Sequence, residues 1–201
     1  MRYFIRMLLT GAAALGTVAG TGGRAEAAFI FIFQEQGAEV VATGTGSVDL
    51  AGLSRIGEDV LPASGVSAQN AVAGVTGTVA VYTGITGPGS FGPGGHVDAS
   101  RGGGDAVAVN GSGGFLGVPL AYVSDSALSS SMEFANQTFA SIGLTPGTYT
   151  WTCGSGSNAD SLTVQIGPAA VPEPASVLMV GVGLLCLAAV RHRRGQVGTQ
   201  T

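Results

Sequence analysis

Alternation of apolar and polar positions is clearest around residue 150. Across residues 148–153, Tyr149, Trp151 and Cys153 fall on one side and Thr148, Thr150 and Thr152 on the other. Across residues 161–166, Leu162, Val164 and Ile166 oppose Ser161, Thr163 and Gln165. A period of two predicts strands with one solvated face. Residues 154–160 join them as a flexible hairpin loop, and Pro146-Gly147 opens the hairpin with a tight turn. Trp151, the single tryptophan, is expected to anchor the core beneath this hairpin.

Upstream the pattern is more broken. Phe29-Ile30-Phe31-Ile32-Phe33 is apolar without alternation, as expected of a central strand buried on both faces. Residues 34–38 turn the chain and 39–43 return it. Gly44-Thr45-Gly46 then separates this pair from a third run at 47–53, which predicts an N-terminal β-meander. Residues 56–61 read as a short strand or turn stopped by Pro62. Residues 72–82 read as two strands broken at Gly77 or one long bent strand. Pro88, Pro93 and five glycines make residues 87–95 an exposed, mobile loop. Residues 105–109, 115–118 and 120–123 supply further short strands, and 132–139 carries Phe134 and Phe139 between polar partners. The sum predicts one all-β domain, an antiparallel β-sandwich or jelly-roll-like barrel.

The two ends follow a different pattern. Arg2 and Arg6 precede an apolar run at 7–19, and Ala25-Glu26-Ala27 is a small-x-small site. That order predicts a signal peptide over 1–27, cut after Ala27 to leave Ala28 first; an uncleaved anchor is the alternative. At the other end, Val171-Pro172-Glu173-Pro174 leads into residues 175–190, which carry no charge, and Arg191-His192-Arg193-Arg194 follows. Pro172 and Pro174 fix φ and cannot donate, so Glu173 is held extended and exposed. Pro174 suits the first turn of a helix. A helix of about 16 residues spans about 24 Å, slightly short of a hydrocarbon core of about 30 Å. Arg191, Arg193 and Arg194 place its far end in the cytoplasm. The alternative for such a length is a buried core helix. The expected division is a signal peptide at 1–27, an exported β-rich domain at 28–170, a sorting segment at 171–195 with a transmembrane helix at about 175–190, and a short cytoplasmic tail at 196–201.

The C-terminal order of parts resembles the PEP-CTERM sorting signal of Gram-negative bacteria. The resemblance rests on Val171, Pro172, Glu173, Pro174, the apolar run and Arg191, Arg193 and Arg194. It implies recognition by exosortase, a membrane transpeptidase-like enzyme, with cutting near Pro-Glu-Pro. It also implies display at the cell surface or in an extracellular matrix, in company with exopolysaccharide and biofilm. The body resembles an uncharacterised β-rich exported group bearing the same tail, through Val41-Ala42-Thr43-Gly44-Thr45-Gly46-Ser47 and Gly143-Leu144-Thr145-Pro146-Gly147-Thr148-Tyr149 with Trp151. In that group tryptophan usually stands where this chain has Cys153.

Composition narrows the remaining choices. The chain has no lysine, and the body's bases are Arg55 and Arg101 against ten acids. Such a surface has no footprint for nucleic acid and no basic stripe for anionic lipid, so contact with the inner membrane must come from the tail. Glycine accounts for 35 of 201 residues, well above the usual figure of about 7%. With abundant valine and threonine, this favours short strands and tight turns. Cys153 is alone in the body, Cys186 lying in the tail, and a buried free thiol is expected.

Catalytic chemistry is sparse. His96 is the body's one histidine and lies in the Pro/Gly-rich loop, and no Gly-x-Ser-x-Gly elbow is present. One His and one Cys far apart do not make a zinc site. Asp98, Asp105 and Asn110 are weak oxygen ligands for calcium in a glycine-rich stretch. Glu58 and Asp59 are strand neighbours, so they point to opposite faces and do not pair. The reading is therefore a non-enzymatic, cofactor-free surface or matrix protein, exported through the Sec translocon. The alternatives are a glycan- or calcium-binding module, with Tyr82, Phe91, Phe115 and Tyr122 as glycan-stacking candidates, and, third, a secreted hydrolase using His96.

Overall fold

The computed structural model describes residues 28–167. The expected signal peptide, the tail helix and the Pro-Glu-Pro segment lie outside these residues. The strands in chain order are β1 (Ala28–Gln36), β2 (Glu39–Gly46), β3 (Ser54–Leu61), β4 (Gly65–Ser67), β5 (Val72–Gly74), β6 (Gly77–Thr83), β7 (His96–Asp98), β8 (Arg101–Gly104), β9 (Ala108–Asn110), β10 (Phe115–Pro119), β11 (Leu128–Ala135), β12 (Gly147–Cys153) and β13 (Asp160–Ile166). A one-turn helix, α1 (Phe139–Ile142), precedes β12. The body is all-β, in two sheets of order β12-β13-β1-β2-β11-β8 and β3-β6-β10-β9-β5-β4-β7. One buried apolar cluster draws side chains from both.

The hairpin predicted near residue 150 is present. β12 and β13 pair antiparallel from Gly147↔Ile166 to Cys153↔Asp160. Trp151, Cys153, Leu162, Val164 and Ile166 are buried, and the threonines of β12 are exposed. Trp151 is fully buried, and its indole N–H donates to Pro88 O at 3.0 Å. On the outer face the Thr150 and Thr163 hydroxyls lie 3.1 Å apart.

β1 is central, as its unbroken apolar run predicts, but its two faces differ. Phe29, Phe31 and Phe33 are fully buried, whereas Ile30 and Ile32 on the outer face are half-buried. The wholly antiparallel arrangement also fails here. β1 pairs antiparallel with β2 but parallel with β13, from Ala28↔Ser161 to Phe33↔Ile166. A parallel pair needs a long crossover, and here nearly the whole body forms it.

Four expected elements differ for local reasons. β2 runs on through Gly44 and Gly46, because a glycine is the only residue that fits beneath the phenylalanines. A Cβ on Gly44 would sit 2.7 Å from both the Phe29 and Phe31 rings. The run at 47–53 is not a strand. It forms a 3₁₀ turn at Leu50–Gly52, with Asp49 accepting from Ala51 N at 2.9 Å. The run at 120–123 is a turn closed by Tyr122 N donating to Pro119 O at 2.9 Å. The run at 132–139 splits: β11 ends at Ala135, Asn136 takes a left-handed φ of 56°, and Thr138 caps α1 through a reciprocal bond with Ser141.

The glycine-rich loop at 87–95 is irregular as predicted, but it is not simply exposed. Phe91 within it is fully buried, edge-on to Tyr149 and Trp151 with centroids 5.2 and 5.7 Å away. The two aromatic rings of β12 hold the loop down. The break between β5 and β6 falls at residues 75–76, just before Gly77.

Candidate functional site

The tail leaves the body from the middle of a sheet. β13 lies between β12 and β1, and Gly167 is fixed directly after it by donating its N–H to Phe33 O at 3.0 Å. Gly167 takes φ of 107°, a conformation that suits glycine. Residue 170 is three steps further on, within about 10 Å of this anchor even when fully extended. The parallel register puts Ala28 beside Ser161, at the other end of the strand pair. The first and last residues of the body are thus roughly 17–20 Å apart along the strands.

At the Ala28 end lies a cluster of buried and half-buried polar groups. Asp160 is buried, and its carboxylate accepts from Asp49 N at 2.7 Å and Ser161 N at 2.6 Å. Asp49 in turn accepts from the Ser124 hydroxyl at 3.1 Å, and Ser124 accepts from Leu50 N at 2.7 Å. Tyr122 completes the set. Its hydroxyl accepts from Val48 N at 2.8 Å and reaches Val48 O and Ser126 O. Together these groups hold residues 48–51 against the sheet end. Burial pushes the Asp160 carboxyl above its ordinary range, with the two amides opposing. The strand phase carries a signal for this acid: position 160 continues the inward series Leu162, Val164, Ile166 one step back.

Cys153 lies opposite Asp160 in register, with its thiol 3.8 Å from Asp160 O. Burial first, then the negative charges of Asp160 and Asp49, push the thiol up to about 11. Nucleophilic cysteines are shifted the other way, because only the thiolate attacks. Cys153 is the buried free thiol expected from the strand pattern. In a Cys186→Ser chain at pH 8, a thiol reagent should leave Cys153 unlabelled until denaturant is added. Rapid labelling of the native protein would contradict this.

The structure separates the remaining candidates. His96 and Asp98 form an exposed pair on β7, 2.9 Å apart. The Asp105 carboxylate accepts from Ser129 N at 2.7 Å, and Asn110 accepts from Ser112 and Gly113 in its own turn. Each acts locally, and among the described residues no group of three or more His, Cys, Asp or Glu converges as a metal site. Glu58 pairs with Arg55 at 2.7 Å, and Asp59 accepts from Val60 N at 2.8 Å. Of the four aromatic candidates for glycan stacking, Phe91 is core and Tyr122 spends its hydroxyl internally. Tyr82 packs partly against the core. Phe115 is about one-third exposed. Tyr82 pairs with Leu116 and Phe115 with Thr83, so the two rings belong to opposite faces.

Just beyond Gly167 the sequence becomes recognisable. Residues 170–194 match the family model of the PEP-CTERM protein-sorting motif. The chain carries a PEP-CTERM sorting signal. The match supports an exosortase substrate that is exported and passes through a membrane-anchored state. Nothing among curated proteins or solved structures matches the chain. The sorting residues Val171, Pro172, Glu173, Pro174, Arg191, Arg193 and Arg194, and the cleavage residues Ala25 and Ala27, lie outside the described residues. Ala28 is the first residue of β1.

Proposed function

We propose that this PEP-CTERM protein is a non-enzymatic component of the cell surface or extracellular matrix, with a β-sandwich body that serves a structural role against exopolysaccharide. The carrying observation is the sorting motif at residues 170–194, which begins three residues after the strand-fixed Gly167. In this reading the signal peptide is removed after Ala27, the tail anchors the body in the inner membrane, and exosortase cuts near Glu173.

The body's own chemistry supports a structural role. Its buried Asp160 ties residue 49 to a sheet end, and the Cys153 thiol beside it is buried and pushed up to about 11, away from nucleophilic use. The outer face of the first sheet carries uncharged Thr148, Thr150, Thr43, Thr45, Ser129 and Ser131. That face suits contact with hydroxyl-rich polymer. A glycan-stacking site in the usual sense has Phe115 as its exposed ring.

The test is the intact mass of the protein recovered from the cell surface. The expected species starts at Ala28 and ends near Glu173, with or without an added group. Recovery of the chain uncut at both ends in the cytosol would overturn the reading.

A further inference from the structure

We propose that β12, β13 and β1 form a mechanical clamp, built so that tension delivered through the tail loads the sheet in shear. The use of this clamp in the cell rests on the tether reading above; the clamp itself rests on the register. β13 ends at Ile166 with Gly167 directly after it, and Ala28 opens β1 at the other end of the pair, so tension applied at Gly167 and resisted at Ala28 acts along the strand axis. β13 is held on both sides, by six registered pairs with β1 and seven with β12. Ladder hydrogen bonds run across the strands. A force along the strands therefore strains them together, whereas a force across the strands opens them one after another.

The parallel pairing is what creates this geometry. Were β1 antiparallel to β13, its start would lie beside the tail and a pull between the two ends would peel them apart. Because it is parallel, Ala28 and Gly167 lie at opposite ends, and separating them slides one strand along the other. Sliding also drags Phe29, Phe31 and Phe33, and Leu162, Val164 and Ile166, through a close-packed interior.

The outer strand of the trio is secured as well. β12 is a sheet edge, the position from which peeling would start. Thr86 and Thr152 exchange both backbone hydrogen bonds at 2.9 Å. The same loop accepts from the Trp151 indole at Pro88 O and from the Tyr149 hydroxyl at Phe91 O, the latter at 3.3 Å. The glycine-rich loop thus staples the edge at Tyr149, Trp151 and Thr152.

Single-molecule pulling in two geometries tests the clamp on the chain that has lost its signal peptide but keeps its tail, residues 28–201, held in detergent with Cys186→Ser. Cys153 stays native, since its buried thiol does not compete for the handles. Handles on Ala28→Cys and Pro168→Cys apply shear. Handles on Pro146→Cys and Pro168→Cys pull adjacent ends of the β12–β13 hairpin and unzip it; Thr145→Cys replaces Pro146→Cys should the latter not fold. Forced rupture is governed by the unfolding barrier along the pulled direction. The shear geometry should break at a several-fold higher force than the unzipping geometry. Equal forces, or a weaker shear geometry, would overturn the clamp. An uncut tail in cells would sink the processing reading while leaving this force ratio unchanged, so the two failures are distinguishable.

Discussion

Phe31→Ala is expected to remove about 3–5 kcal/mol of stability, the range for deleting a fully buried phenylalanine. Domains of this size are stable by only about 5–15 kcal/mol, so the variant will sit near the edge of folding. Phe31 lies mid-strand in β1, which hydrogen-bonds to β2 on one side and β13 on the other. Its ring is edge-on to Phe29, with centroids 4.9 Å apart, and 6.5 Å from Phe33. A hole at this point is lined by strands on both flanks, whose ladders limit how far they can collapse into it. Overfilling the same spot should also cost stability. Gly44→Val places its Cβ 2.7 Å from two fully buried rings that have little room to yield. About 1–3 kcal/mol is expected for it. Denaturant midpoints read both. A Phe31→Ala midpoint within error of the parent would mean that the strand is not the keystone its burial suggests.

What was legible in the sequence follows the distance over which each structure is decided. The β12–β13 hairpin is local: its alternation and its buried tryptophan lie within some twenty residues and are found, whereas the tight turn expected at Pro146-Gly147 is not, Gly147 being already the first residue of β12. The buried rings of β1 are also readable, since five apolar residues without alternation suit a buried strand. Its partner is not. Pairing Phe29 with Leu162 joins the two ends of the body, and nothing in either strand's pattern distinguishes a parallel neighbour from an antiparallel one. The 47–53 run shows the same limit in another form. Its apolar positions suit a strand, but Asp160, 111 residues away, takes the Asp49 amide, and Ser124 takes the next. Phe91 was misplaced by its company, for a loop of glycine and proline predicts exposure unless distant aromatics capture it. Function divides in the same way. The sorting signal is linear and readable. A structural body has no comparable motif, because flat faces and load paths exist only once strands are paired.

Glu173→Gln is expected to block processing while leaving the body folded. In the proposed reading, the sorting segment is recognised in the short space between the body and the membrane. Gly167 is pinned to Phe33 O, and Glu173 is six residues further, within about 20 Å of that pin at full extension. The flanking prolines cannot donate backbone hydrogen bonds, so an enzyme that reads this stretch must rely heavily on the single charged side chain between them. A hydrogen bond to a charged group contributes about 1.5–3 kcal/mol, equivalent to roughly a ten- to hundred-fold loss in recognition. The glutamine keeps the shape and removes the charge, so the precursor should accumulate in the membrane fraction at its uncut mass. Glu39→Gln is the control. Glu39 lies at the same end of the sheet as the tail, paired with Gln36 and Ala135, and changes the local charge by the same amount. It should be processed at the parental rate. If both variants slow equally, processing depends on the field at this end of the body and not on the motif. If neither slows, Glu173 is not read.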